Sequence, residues 1–359
     1  MPSGPDSPRS LPLPLRARLH RSVQASWRRR GLLARALAPL TAVHHLWRAL
    51  RALAYGLRLL RARHPGVPVL VVGNLRAGGT GKTPLVIALI EALRQRGWQA
   101  GVVSRGHGSR EKAARMVQAS GSAADFGDEP LLIHRRTGAP VAVARRRVEA
   151  ARLLLATHPD CNLLIADDGL QHRALARDVE MVVLNSEGVG NGMLLPSGPL
   201  RDPPARLRKV DAVVLNGVVP PVRIHSPFFR MQPQLREAYR LGDPAGRVPL
   251  AALVHDAARP GLRNLAACAI GNPGRFFDQL QALGLRFDTL ALPDHAPFGP
   301  GDLPAQGYDR VFITEKDAVK LAPSAGPTAL EIWVVVLSCP LDPALVEFVD
   351  QRLRARLQT

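Results

Sequence analysis

The sequence predicts an α/β fold: a parallel sheet with helices on both faces, a smaller C-terminal α/β lobe and an N-terminal amphipathic helical segment. Three observations predict it. From about residue 67 onward, short β-branched runs alternate with runs of helical periodicity, the pattern of a parallel sheet covered on both sides. A glycine-rich loop joins the first such run to the first such helix. The leading segment instead repeats leucine at three- and four-residue steps with arginines between, the signature of an amphipathic helix.

The stretch VPVLVVGNLRAGGTGKTP, Val67 to Pro84, anchors the rest. Its apolar run reads as a buried strand, and LVIALIEALRQRG after it as a helix. Backbone N–H groups at a helix start carry partial positive charge, and a glycine turn lets them approach a phosphate closely. Arg76, Ala77, Gly78, Gly79, Thr80 and Gly81 therefore form a phosphate cradle. Lys82 would reach the β- and γ-phosphates, and the Thr83 hydroxyl would ligate Mg²⁺. One departure is visible: Arg76 stands where the usual pattern has glycine. Without its context the run would be a glycine turn in any βα unit. GKT, the paired glycines and the strand–helix order together point to a P-loop NTPase-like sheet that binds the phosphates of a nucleotide.

At 359 residues, with 46% hydrophobic residues, the chain is long enough for two domains with real cores. Its formal net charge of +19 favours an anionic partner: nucleic acid, acidic lipid or a phosphorylated substrate. Residues 1–64 supply +12 of it, with thirteen arginines and a single acid, Asp6. Cys161, Cys268 and Cys339 are far apart and match no metal spacing. LPLPL is too short and proline-broken for a signal peptide, and no uncharged apolar run reaches transmembrane length.

Taken in order, residues 1–14 are Pro- and Ser-rich and predicted to be disordered. Residues 15–64 read as helices broken near Pro39, with Trp47 and leucines on one stripe and a basic flank. That suits a helix lying in a membrane surface, or one packed on its own domain with a solvated basic face. Residues 65–217 form the nucleotide-binding domain, with strands expected at 99–103, 140–144, 161–166, 180–184 and 211–215. Residues 218–245 read as an extended link. Residues 246–359 form the second lobe, with strands at 266–270, 310–314 and 332–337. A closing helix at 343–357 is free to pack back on the first domain. In such sheets ligands bind beyond the carboxyl ends of the strands. GNLRAGGTGKT, SRGHG and DDGLQH all follow strand ends, so they should share one rim.

Asp167 and Asp168 end an apolar strand, the place of an acid that holds Mg²⁺ in loop-type nucleotide enzymes. Adjacent acids repel, so without a cation the pair is unattractive; the alternative is a strand-end turn. Asp128, after Gly127, is a base or orienting carboxylate at the rim, or else a helix cap. His107 and His172 are phosphate donors or loop histidines. His295 reaches the phosphates only if two lobes close. Arg201 could bind a phosphate bidentately; a solvated pair with Asp202 fits its spacing equally well.

Together these stretches closely resemble one family, tetraacyldisaccharide 4′-kinase, the lipid A 4′-kinase of Gram-negative bacteria. VGNLRAGGTGKTP, VVSRGHG, GDEPLL, IADDGLQH, LLPSGPLRDP, AIGNPGRFF, PDHAPF and ITEKDAVKL carry the resemblance, in family order, from about residue 67 to 320. Arg76 fits the family pattern, which usually has a non-glycine there. The resemblance implies ATP and Mg²⁺ as cofactors. It implies phosphoryl transfer to the 4′-hydroxyl of a tetraacylated glucosamine disaccharide 1-phosphate, in lipid A biosynthesis. It implies a monomer whose N-terminal helix meets the cytoplasmic face of the inner membrane as a peripheral protein. Lys82 and Thr83 match the family's phosphate-loop pair and Asp167 and Asp168 its acidic motif. Asp128 and His295 match an Asp and a His used together near the acceptor hydroxyl. Arg105, His107, Gln171, His172, Arg201 and Asp202 match positions near the phosphates or disaccharide. Two residues depart from the pattern: His107 replaces the usual Tyr, and Asp202 replaces Glu.

Two rivals make different demands. A partitioning-type membrane ATPase switch also joins GGTGKT to an amphipathic helix, but it carries a signature Lys before the paired glycines, where this chain has Ala77. A nucleic-acid tether would use the basic arm, yet the Trp and Leu stripe suits a bilayer better, so no nucleic-acid partner is expected.

Overall fold

The computed structural model describes residues 27, 30–109, 113–219, 222–257, 261–294, 296, 298–303, 306–321 and 330–357. The expected disorder of residues 1–14, the segment up to residue 26 and His295 lie outside the described residues. The described chain forms two compact units. The larger holds the described residues up to Gly121, then Asp125–Gln232 and Cys339 onward; the smaller holds Ser122–Ala124 and Pro233–Ser338.

The larger unit begins with helices α1 (Leu32–Ala36) and α2 (Ala38–Gly56). Leu37 separates them and Pro39 sits in the first turn of α2, where its missing N–H costs nothing. Then come β1 (Val69–Gly73), α3 (Lys82–Arg94), β2 (Ala100–Ser104), β3 (Arg115–Met116), α4 (Ala123–Phe126), α5 (Asp128–Thr137), β4 (Val141–Val143), α6 (Arg147–Thr157), β5 (Leu163–Asp167), β6 (Val179–Asn185), β7 (Ala212–Asn216) and β8 (Phe228–Met231). The strand order in this eight-stranded sheet is β3-β4-β2-β5-β1-β6-β7-β8. Every pairing is parallel except β3 with β4. All residues of β1, β2, β5, β6 and β7 are buried, as helices on both faces require. The expected extended link, residues 218–245, contains strands: β8 and, in the smaller unit, Gln234–Arg240.

The smaller unit has β9 (Gln234–Arg240), β10 (Val248–Pro249), α7 (Leu250–Ala257), β11 (Asn264–Cys268), α8 (Pro273–Ala282), β12 (Asp288–Ala291), β13 (Arg310–Thr314), α9 (Glu315–Ala318) and β14 (Glu331–Ser338). Its six strands run in the order β10-β9-β14-β13-β11-β12. Its core centres on Phe312, Trp333, Phe276 and Leu280 on one face. The chain then re-enters the larger unit with α10 (Pro343–Leu357). There Trp98 Nε1 donates to Asp350 Oδ1 at 2.7 Å, and Arg96 bridges Glu347 and Asp350.

Three side-chain links attach α2 and the residues before it to the loop between β6 and β7. Trp27 Nε1 donates to the Pro196 carbonyl at 3.1 Å, Thr41 Oγ1 donates to Ser197 Oγ at 2.7 Å, and Arg48 pairs with Asp202. The opposite face of α2 presents Val43, Leu46, Trp47, Leu50 and Leu53, each more than half exposed. No described helix is long and apolar enough to cross a membrane.

Candidate active site

The glycine loop sits where β1 ends and α3 begins. Gly81 caps α3 with φ of +93°, a left-handed conformation that disfavours any side chain. A Cβ there would lie 2.2 Å from the Asn216 amide nitrogen, so glycine is required twice over. The loop's carbonyls are gripped from two strand ends. Asn185 and Asn216 are direct partners across β6 and β7. Asn185 Nδ2 donates to the Gly79 carbonyl at 3.1 Å and Asn216 Nδ2 to the Thr80 carbonyl at 2.9 Å. Asn74 Nδ2 donates to Thr80 Oγ1 at 3.1 Å. These bonds turn the Gly79 and Thr80 carbonyls back into the protein, as a phosphate cradle needs, whereas the Ala77 N–H is used inside the protein and so, against expectation, does not join the cradle.

A second strip of backbone closes the other side. Ala77 N donates to the Pro199 carbonyl at 2.8 Å, and Arg201 N to the Leu75 carbonyl at 2.6 Å. Arg76 is buried, with Nη2 3.0 Å from Glu187 Oε2. The side chain at this non-glycine position thus leaves the cradle and pairs elsewhere.

At the end of β5 the two aspartates have opposite surroundings. Asp167 is fully buried and neither carboxylate oxygen has a hydrogen-bond partner among the described residues. Burial, then the charge of nearby Glu129, pushes its pKa up to about 7 despite Lys82. Asp168 turns the chain with φ of +49°, a conformation tolerated by few non-glycine residues. Its Oδ1 lies 3.5 Å from Lys82 Nζ and its Oδ2 accepts from Arg201 Nη1 at 2.7 Å. Burial would raise this group; Lys82 and Arg201 overcome it and hold the carboxyl far below the ordinary carboxylate range.

Arg147 holds the turn from behind. It is 3% exposed, and Nη2 donates to the carbonyls of Asp167 at 3.3 Å and Asp168 at 3.2 Å. Its Nη1 lies 2.8 Å from His172 Nε2. Burial lowers the Arg147 pKa to about 10. Burial, followed by the charge of Arg147, drives His172 down to about 3, so His172 is a neutral acceptor here rather than a cationic phosphate donor.

Gln171 Nε2 donates to the Asn74 carbonyl at 3.2 Å and to Asp202 Oδ2 at 2.7 Å. Asp202 is buried. Neighbours Arg201 and Asp202 therefore face different partners, Asp168 and Arg48, and the solvated Arg–Asp pair is excluded. Asp128 is the first residue of α5; Gly127 is the cap, so Asp128 does not cap this helix. It is buried and its Oδ1 accepts from Glu129 N at 2.9 Å. Gly127 has φ of +89°, and a Cβ there would stand 2.7 Å from the His107 carbonyl, which packs the turn after β2 against the start of α5. Arg105 and His107 are exposed on that turn. Lys82, Thr83, Asp128, Asp167, Asp168, Gln171, His172 and Arg201 all lie in the larger unit.

The donor set fits magnesium. A fully buried carboxylate lacking any partner asks for a cation. Thr83 is buried in the first turn of α3, next to Lys82. Among the described residues no three His, Cys, Asp or Glu side chains converge as a complete metal cage. Magnesium typically takes one or two carboxylates and fills its octahedron with water and phosphate oxygens.

Comparison with known proteins gives the family. The family model for tetraacyldisaccharide-1-P 4′-kinase matches residues 33–354. The chain belongs to that family. A tetraacyldisaccharide 4′-kinase of Janthinobacterium sp. (strain Marseille) is 43% identical over 95% of this chain and 98% of its own. That of Herminiimonas arsenicoxydans is 44% identical over 96% and 99%. Among solved structures, the "apo" form of LpxK from Aquifex aeolicus in complex with ATP is similar, with TM-score 0.74 at 26% identity, over 90% of this chain and all of that one. The likeness bears out the α/β fold expected from the sequence.

Sequence reasoning did not single out Arg147, Asn74, Asn185, Asn216 or Glu187. The repeated VVLN at 182–185 and 213–216 was the available signal for the two strand-end asparagines.

Proposed function

We propose that this kinase transfers the γ-phosphoryl group of ATP to the 4′-hydroxyl of a tetraacylated glucosamine disaccharide 1-phosphate, as a monomer on the cytoplasmic face of the inner membrane. The observation that carries the reading is the pair of unlike aspartates at the mouth of the glycine loop. One is ionised and held by Lys82 and Arg201; the other is buried and awaits a cation. The family membership supplies the acceptor.

In this reading the loop N–H groups and Lys82 hold the ATP phosphates, and phosphate oxygens compete with Asp168 for Lys82 and Arg201. Asp167, Thr83 and Asp168 would hold Mg²⁺, which when bound neutralises charge on the transferring group. Asp128, buried at the rim, accepts the proton of the attacking hydroxyl. Arg105, His107 and Gln171 border the acceptor, and Arg147 with His172 keeps the aspartate turn in place. Such transfers depend chiefly on positioning and charge neutralisation. The exposed Leu and Trp face of α2 lies in the bilayer surface, with basic residues of the segment near anionic headgroups.

The test is transfer of radiolabelled γ-phosphate to the disaccharide lipid in detergent. Wild type labels the lipid and Lys82→Ala does not. Asp128→Asn should bind ATP normally and lose turnover; unchanged turnover would remove Asp128 from the base role.

A further inference from the structure

Arg76 stands where a phosphate loop usually has glycine, and VVLN occurs twice, at 182–185 and 213–216. The fold brings these two oddities together. Strand β6 ends at Asn185, and the turn after it closes with Gly188 N donating to the Asn185 carbonyl at 2.8 Å. Inside that turn Asn185 Oδ1 accepts from Glu187 N at 3.2 Å. The turn therefore offers two groups to the glycine loop at once. The Glu187 carboxylate takes Arg76 Nη2 at 3.0 Å, and Asn185 Nδ2 donates to the Gly79 carbonyl at 3.1 Å.

Ala77 and Gly78 lie between these two holds. Ala77 is fixed by its N–H bond to the Pro199 carbonyl. Gly78 is not fixed by packing: its φ is +108°, and a Cβ there would meet nothing within 4 Å. Asn74 Nδ2 reaches its carbonyl only at 3.4 Å. Glycine loses more backbone freedom than any other residue when it is ordered. An unpacked glycine pair therefore keeps one conformation only if its flanks are tied. Here the ties before the pair, at Arg76, and at its second member, Gly79, come from one turn. A further tie follows at Thr80, from Asn216, the partner of Asn185 across β6 and β7. A cradle shaped in advance spares the nucleotide the cost of ordering it.

We propose that the turn Asn185–Glu187 is a clamp that pre-forms the nucleotide loop, gripping it at Arg76 and at Gly79. Asn185, Glu187 and Arg76 are then positioning residues for the nucleotide's phosphates. Arg76 gives the turn a handle that glycine, with no side chain, could not. The inference rests on the reading of this loop as the site of the ATP phosphates.

Full-length wild type, Asn185→Ala, Glu187→Gln, Glu187→Asp and the double variant Asn185→Ala/Glu187→Gln are compared. Equilibrium affinities for ATP, ADP and AMP are measured, with KM for the lipid acceptor and the chemical-denaturation midpoint. The Glu187 side chain is 38% exposed, so its variants keep the test open should Asn185→Ala fail to fold. Asn185→Ala should weaken ATP and ADP by about tenfold, the scale of ordering one more backbone residue on binding. AMP, with a single phosphate, should lose much less, and KM for the acceptor should hold. Glu187→Gln should show the same pattern at about threefold, as for a partly exposed ion pair, and Glu187→Asp should recover part of it. Because both groups hold one segment, the double variant should lose less than the product of the single losses. A turn with a merely structural role would lower the midpoint and leave the ratio of ATP to AMP affinity as in wild type. That outcome, or single losses that multiply, overturns the inference. Folded variants that bind ATP as tightly as wild type overturn it too. Wild type that binds none of the three nucleotides would instead overturn the reading of the loop itself.

Discussion

Each unit ends a parallel strand near a fully buried aspartate, and the two aspartates could hardly be treated more differently. Asp317, in α9 directly after β13, accepts from Ala269 N at 3.2 Å, from Thr314 Oγ1 at 2.7 Å and from Lys320 Nζ at 3.1 Å. Asp167, at the end of β5, has no hydrogen-bond partner among the described residues. The two are equally inaccessible, at 0% exposure. Burial alone therefore does not mark a candidate site acid. What marks it is burial without satisfaction, which a folded chain tolerates only where something else completes it.

The sharpest way to break this contrast is to neutralise both acids. Asp167→Asn should lower turnover by about a thousandfold or more, the scale of losing a major electrostatic element of catalysis, with the chemical-denaturation midpoint held or raised. Asp317→Asn should instead cost about 3 kcal/mol of stability, as breaking one side of a buried charge pair does, with turnover per folded molecule retained. Equal loss of turnover in both variants, fully folded, would dissolve the distinction.

Arg147→Met tests whether the turn behind Asp167 is held from the rear. Turnover should fall by about tenfold or more, as for other supporting contacts around a metal-binding group. The His172 pKa should climb from about 3 toward its ordinary value, because Arg147 is the second cause of its depression after burial. NMR titration of His172 reads that shift, and a merely structural arginine elsewhere would not move it.

The pH dependence of magnesium binding comes next. Asp167, with a folded pKa near 7 against 3.8 unfolded, binds more protons in the folded state between those values. Metal-free stability from this group therefore falls as pH rises through about 4 to 7. Magnesium requires the ionised form, so its thermal stabilisation should be larger at pH 8 than at pH 6, measured by thermal shift with and without the ion. The smallest effect is Thr314→Val, which removes one hydroxyl from Asp317 and should cost about 1 kcal/mol without altering turnover.

Legibility in the sequence followed how local the physics was. The glycine loop was readable because its backbone demands fall on consecutive residues. The buried strands were readable because helices on both faces make them continuously apolar. Strands β8 and β9 were not, since their half-exposed residues give a mixed pattern among prolines. Asn185 and Asn216 act on a loop more than a hundred residues away, and only strand pairing reveals that. Arg147 closes the run Arg145-Arg146-Arg147, which reads as a solvated charge cluster; only the third is buried. Arg201 and Asp202 were singled out, but spacing could not show that each turns to a different partner.

That divergence carries a lesson for engineering the N-terminus. A borrowed amphipathic peptide or lipid tail in place of Leu32–Gly56 would restore an exposed apolar face. It would also strip Asp202 of the guanidinium of Arg48, leaving a sequestered negative charge one peptide unit from the arginine that grips Asp168. Helix α2 and the candidate site are thus not modular here, and a graft must bring its own arginine in register.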